Sequence, residues 1–83
     1  MSGFIGMYQL FVTMEKALEI KLSAQEKQII GQTLFPLSNK NIYNITKEEI
    51  KEQVETLNLD NRDLEKAKRF LVNYLVINIK DML

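Results

Sequence analysis

Apolar side chains recur at steps of three and four residues near the start of the chain, the spacing that places them on one face of a helix. This stripe consists of Met7, Leu10, Phe11, Met14, Leu18 and Leu22. The charged residues of the same segment, Glu15, Lys16 and Glu19, fall off the stripe. The pattern therefore predicts a first helix over about residues 5–21.

A second helix is predicted directly after this stripe. Ser23 and Glu26 have the spacing of a capping box, in which each side chain satisfies a free backbone amide of the other residue. The helix would cover residues 24–35 and present one side made of Ile29, Ile30, Thr33 and Leu34. It should stop near Pro36, because proline disfavours helical geometry in the preceding residue. The asparagine-rich residues 36–45 are then expected to form a loop, with Ile42, Tyr43 and Ile45 tucked onto the core.

The third predicted helix begins with another capping box, formed by Thr46 and Glu49. Ile45 and Ile50 flank this start at the positions whose contact staples a helix beginning. The inward stripe comprises Ile50, Val54 and Leu57, and the outward residues are Glu48, Glu49, Lys51, Glu52 and Glu55. The pattern is typical of a surface helix with a narrow apolar face.

A short connection is predicted between the third and fourth helices. Asn58 is suited to the left-handed conformation that ends a helix, which would return Leu59 to Val54. Asp60 is suited to cap the next helix. The connection would then contain about three residues, which implies a tight corner.

The fourth helix is predicted from about residue 61 to residue 79 or beyond. Its first half is amphipathic, with Leu64, Ala67 and Leu71 inward and Arg62, Glu65, Lys66, Lys68 and Arg69 outward. Its second half, residues 72–79, is apolar on nearly every side, which is typical of a buried helix. β-Branched residues make a strand the alternative there. A helix is favoured because the segment continues a capped start and lacks strict alternation.

These elements predict an all-α fold, a compact bundle of four helices with a tight corner between helices three and four, in one domain over residues 1–83. The length of 83 residues is too short for a second core. A hydrophobic content of 46% with only three glycines and one proline is typical of a folded chain. Eleven basic and eleven acidic residues give zero net charge, which argues against a polybasic tail for nucleic acids.

The residue types that are missing restrict the chemistry. The sequence has no cysteine and no histidine, which removes disulfides, zinc fingers, thiol nucleophiles and imidazole bases. It also has no nucleophile elbow and no phosphate-binding glycine loop. We therefore expect no enzymatic activity, no cofactor and no metal. The apolar runs 1–14 and 70–79 are too short to span a bilayer, so we expect no membrane contact. A small domain without disulfides is typical of the cytosol, so we expect a cytoplasmic protein.

The large number of apolar residues indicates that the chain binds a partner. Isoleucine, leucine, valine, methionine and phenylalanine make up 32 of the 83 residues, more than four short helices are expected to cover. Exposed apolar patches usually mark partner surfaces, and symmetric dimers are the commonest closed assembly. The candidate partner-binding residues are Phe70, Tyr74, Ile77, Met82 and Leu83, together with Phe4 and Tyr8 near the start. The competing interpretation makes helix four the central helix of a monomeric bundle.

The function predicted from this surface is a small protein–protein interaction module that acts as a regulator, inhibitor or adaptor and self-associates as a homodimer. The identity of the partner protein is not encoded in any motif. The alternative is a small DNA-binding regulator with a helix-turn-helix-like unit at residues 46–79. Its nucleic-acid contacts would be Arg62, Lys66, Lys68 and Arg69. Gln53 and Val54 depart from the motif's usual residues, and Asp60, Asp63 and Glu65 would repel phosphate.

Overall fold

The computed structural model describes residues 2–39, 44–59 and 64–82, with side chains described over 7–38, 44–59 and 64–78. Four α-helices occupy these ranges: α1 (Ser2–Leu18), α2 (Ala24–Leu34), α3 (Lys47–Glu55) and α4 (Leu64–Met82). A short 3-10 helix, Phe35–Asn39, follows α2. Within the described ranges there is no strand, so the predicted all-α architecture is confirmed.

The helices enclose one apolar core. Its buried side chains are Leu10, Met14, Leu22, Ile30, Leu34, Leu37, Ile50, Val54, Leu57, Leu59, Ala67, Leu71 and Leu75, and none of the described buried residues is polar or charged. Helix α4 packs against both α1 and α3, while α2 packs against α3 and the 3-10 helix. The radius of gyration is 11.8 Å, equal to the value of about 12 Å expected for a compact chain of this length.

Helix α1 ends earlier than the apolar stripe predicted. Its last residue is Leu18, and Glu19 adopts the left-handed conformation with φ 55°. The backbone N–H of Ile20 donates to the carbonyl oxygen of Glu15 at 3.1 Å, which is the bond of a Schellman motif. The Glu15 carboxylate also accepts the N–H of Leu22 at 2.8 Å. The predicted end at residue 21 was wrong. The apolar stripe included Leu22, but this residue reaches the core from the segment that follows the helix. The start was also placed too late, at residue 5 instead of Ser2.

Helix α2 starts at the predicted capping box. The Glu26 N–H donates to Ser23 Oγ at 3.1 Å, and the Ser23 N–H donates to the Glu26 carboxylate at 2.9 Å. At the other end, Phe35 keeps helical geometry (φ −54°, ψ −43°) although proline follows it. The expected loop over residues 36–39 is instead part of the 3-10 helix, which buries Leu37 in the core. Burial of Leu37 offsets the local preference against helical geometry in Phe35, the residue that precedes proline.

The rest of the predicted loop is only partly described. Ile42 and Tyr43, which we expected on the core, lie outside the described residues. Ile45 is half-buried and packs against the core, as predicted.

Helix α3 also starts at its predicted capping box. Thr46 and Glu49 exchange backbone-to-side-chain hydrogen bonds of 3.0 and 3.1 Å. The stripe of Ile50, Val54 and Leu57 is buried, as predicted. Asn58 was expected to end the helix in the left-handed conformation, and this was wrong, because its φ is not positive.

The end of α3 is tightened in another way. The Thr56 and Leu57 amides donate to carbonyls three residues earlier, which closes the last turn. The connection therefore begins at Thr56, earlier than predicted. Leu59 is buried after it.

Helix α4 continues through the segment where a strand was the alternative, so the predicted helix over 70–79 is confirmed. Its second half, although apolar on nearly every side, is not buried all round. Leu71 and Leu75 lie in the core, but Val76 is 44% and Ile77 is 78% exposed. The reason is that the described packing partners of this helix, α1 and α3, cover its core face only. The predicted cap Asp60 and the helix start at 61 lie outside the described residues.

Candidate functional site

The predicted partner-binding residues of α4 lie along one edge of its core face. Phe70, Tyr74 and Ile77 are separated by four and three residues, so they share one side of the helix. Phe70 and Tyr74 are half-buried and pack against the core, and their rings stack with centroids 5.7 Å apart. This contact places the two aromatic rings side by side on α4.

Two of the predicted residues are strongly exposed. Ile77 is 78% exposed on α4, and Tyr8 is 66% exposed on α1, the helix that packs against α4. We call Tyr8, Phe70, Tyr74 and Ile77 the apolar surface. All four lie on the two packed helices α1 and α4. The side chains of Phe4, Met82 and Leu83 lie outside the described residues.

Sequence reasoning missed two further exposed apolar residues. Val76 follows the buried Leu75, and its exposure comes from facing away from the core. Phe35 is 66% exposed at the junction of α2 and the 3-10 helix. The sequence pattern placed Phe35 at the last position of α2. Nothing in the pattern indicated that its side chain would be exposed.

The basic residues of the DNA-binding alternative occupy different environments. Lys68 was predicted to face outward, and this was wrong, because its side chain is only 13% exposed. Its Nζ lies 3.5 Å from a carboxylate oxygen of Glu55 on α3, which draws it between the two helices. Lys66 and Arg69 are exposed, as predicted. Arg62 lies outside the described residues.

A groove of about 260 Å³ runs between α3 and α4. From α3 it is lined by Lys47, Lys51 and Glu55, and from α4 by Glu65, Lys68, Arg69, Val72 and Asn73. We call it the cationic groove, since four of its six charged residues are basic. The sequence analysis placed Lys51 on the solvent side and gave Lys47 no role. The i, i+4 spacing of these two lysines is the signal that could have paired them.

Gln53, which departs from the helix-turn-helix pattern, has a structural role. Its side-chain amide donates to the carbonyl oxygen of Thr33 at 2.8 Å and joins α3 to the last turn of α2. Carbonyls in a last turn lack a partner within their own helix. The polar residue therefore satisfies one of them in a position where the DNA-binding motif usually has an apolar side chain.

The comparisons add no relative to this description. No protein-family model, curated protein or solved structure matches the chain. Across the described residues, none of the helices combines the length and hydropathy needed to cross a membrane.

Proposed function

We propose that the chain is a non-enzymatic protein–protein interaction module that docks through its apolar surface and pairs with a second copy of itself. The observation that carries the proposal is the 78% exposure of Ile77, on a helix whose core face, with Leu71 and Leu75, is buried. In this proposal the protein acts in the cytoplasm as a regulator, inhibitor or adaptor, and it needs no cofactor.

The side chains of the apolar surface are suited to anchor an interface. Burying a large aliphatic side chain contributes about 1.5 to 3 kcal/mol, and Ile77 retains most of this gain for a partner. Tyrosine is enriched among the residues that dominate binding energies, because it is large and loses little rotamer freedom. The stacked pair of Phe70 and Tyr74 adds a rigid edge beside Ile77.

Two further considerations support pairing with a second copy. In a dimer with a twofold axis, each exposed side chain contributes to the interface twice, since each copy supplies the same residue. The zero net charge means that two copies do not repel each other over long range. The few exposed anchors must offset a large loss of translational and rotational freedom. We therefore expect a concentration-dependent dimer rather than an obligate one.

Light scattering across a concentration series tests this proposal. The wild-type protein should shift from monomer to dimer as concentration rises, and Ile77→Asp should keep it monomeric by placing a charge in the interface. Gln28→Asp is the matched control, because it puts the same charge on an exposed position of α2. A wild-type protein that stays monomeric throughout would refute self-association. Dimerisation that survives Ile77→Asp would refute the assignment of the surface.

The DNA-binding alternative draws less support. Lys68, one of its four basic residues, is held in an ion pair with Glu55, which leaves its charge partly compensated. A domain with no net positive charge also lacks the electrostatic attraction that drives most DNA binding. A gel shift at two salt concentrations tests it. Strong binding that weakens steeply with salt would favour DNA, because the salt dependence follows the number of phosphate contacts.

A further inference from the structure

The cationic groove is formed by two stripes of side chains, one on each helix. Lys47, Lys51 and Glu55 follow one another at steps of four residues along α3. Glu65, Arg69 and Asn73 do the same along α4. Each stripe is about 12 Å long at 1.5 Å per residue. The groove is therefore an open channel bounded by two such stripes on the packed helices α3 and α4.

Positive charge in this channel is only partly compensated. Lys68 and Glu55 lie 3.5 Å apart, so each partly compensates the charge of the other. Among the described lining residues, four basic and two acidic side chains leave an excess of two positive charges in the groove. The chain as a whole is neutral. The excess is therefore a local feature of this channel.

We propose that the cationic groove binds an extended acidic segment of a partner protein. About 12 Å accommodates roughly four extended residues at about 3.3 Å each. Arg69 can bind a carboxylate through two parallel hydrogen bonds, whereas Lys47 and Lys51 provide compact positive charges. Val72 offers an apolar contact for one side chain of the segment, and the Asn73 amide can hydrogen-bond its backbone.

The same features disfavour a nucleic acid as the occupant. Single strands bind where aromatic side chains stack on the bases, and the lining residues include no aromatic side chain. A duplex is usually read by a helix that projects into its major groove, whereas these basic side chains line a concave channel. Glu65 would repel a continuous phosphate backbone that passes beside it. A peptide can place an uncharged residue beside Glu65.

This inference depends on the proposed protein-binding function only in that its ligand is a protein segment. The groove shares no residue with the apolar surface, so either assignment can fail while the other holds. Ile77→Asp, which should abolish self-association, is expected to leave binding at the groove unchanged.

Fluorescence anisotropy with a fluorescein-labelled peptide, in which aspartate and glutamate residues flank one leucine, tests the groove. The peptide should bind the full chain, and binding should weaken as salt rises. Lys51→Glu and Arg69→Glu should each weaken it about tenfold, because each reverses a charge that faces the ligand. Lys66→Glu is the matched control, since it makes the same change on an exposed position of α4 outside the groove.

Circular dichroism establishes that each variant is folded, and Lys51→Gln provides a milder change in case Lys51→Glu does not fold. Several results would overturn the proposal. These are absence of peptide binding, equal binding of a peptide with asparagine and glutamine in place of its acidic residues, and equal losses for Lys66→Glu and Lys51→Glu. Tighter binding of a short oligothymidine or a short DNA duplex than of the peptide would assign the groove to nucleic acid instead.

Discussion

Replacing Glu19 with glycine is expected to stabilise the protein. Glu19 ends α1 with φ 55°, a left-handed conformation that costs a residue with a Cβ atom about 1 to 2 kcal/mol. Glycine avoids this cost but loses about 0.5 to 1 kcal/mol more backbone entropy on folding. The difference leaves a net gain of about 0.5 to 1 kcal/mol. For a domain of this size that corresponds to a rise of about 2 to 8 °C in melting temperature.

Urea denaturation followed by far-ultraviolet circular dichroism measures this gain. Glu19→Ala is the control, because it removes the same carboxylate but keeps a Cβ atom in the left-handed conformation. The glycine variant should have the highest midpoint of the three proteins, with the denaturant slope unchanged. If the glycine and alanine variants unfold at the same midpoint, the backbone of Glu19 is not strained and the Schellman ending of α1 is wrong.

Two further predictions concern the helices themselves. Leu71→Ala should lower the free energy of unfolding by about 2 to 5 kcal/mol, since Leu71 is 0% exposed and its removal leaves a cavity. A loss in denaturation experiments no larger than that of a surface substitution, about 0.5 kcal/mol, would contradict its burial. Gly31→Ala should raise stability by about 1 kcal/mol, because a Cβ there meets no atom within 4 Å apart from its own stretch of helix backbone, and alanine favours the helix. A lower melting temperature for this variant would count against α2 as described.

The starts of α2 and α3 were predictable because their signals are local. Ser23 with Glu26, and Thr46 with Glu49, each form within four consecutive residues, and both capping boxes are present. The stacking of Phe70 on Tyr74 was not predicted, although their i, i+4 spacing is compatible with it.

The helix ends were less predictable because packing decides them. Glu19 adopts a conformation that its residue type disfavours, so no glycine marks the end of α1. Asn58 could have adopted that conformation and does not. Phe35 stays helical before a proline while Leu37 is buried beyond it. In each case the position of a neighbouring apolar residue in the core competes with the local preference.

The candidate site likewise has one part that was predictable from the sequence and one part that was not. The stripe of Phe70, Tyr74 and Ile77 follows from spacing along one helix. The partly buried position of Lys68 depends on Glu55, thirteen residues earlier on another helix. Periodicity within a helix carries no information about which stripe of a second helix will face it. The cationic groove therefore emerges only when α3 and α4 are placed together.

An interior without polar side chains has a consequence for how the chain can vary. No described buried residue has a hydrogen-bonding side chain that a replacement must match, so exchanges that conserve volume should cost less than about 1.5 kcal/mol. Many combinations of leucine, isoleucine and methionine would then serve equally well inside. Positions such as Ser23, Thr46 and Gln53, which satisfy backbone groups, have fewer substitutes. Over evolutionary time, we expect the interior to drift while these boundary residues persist.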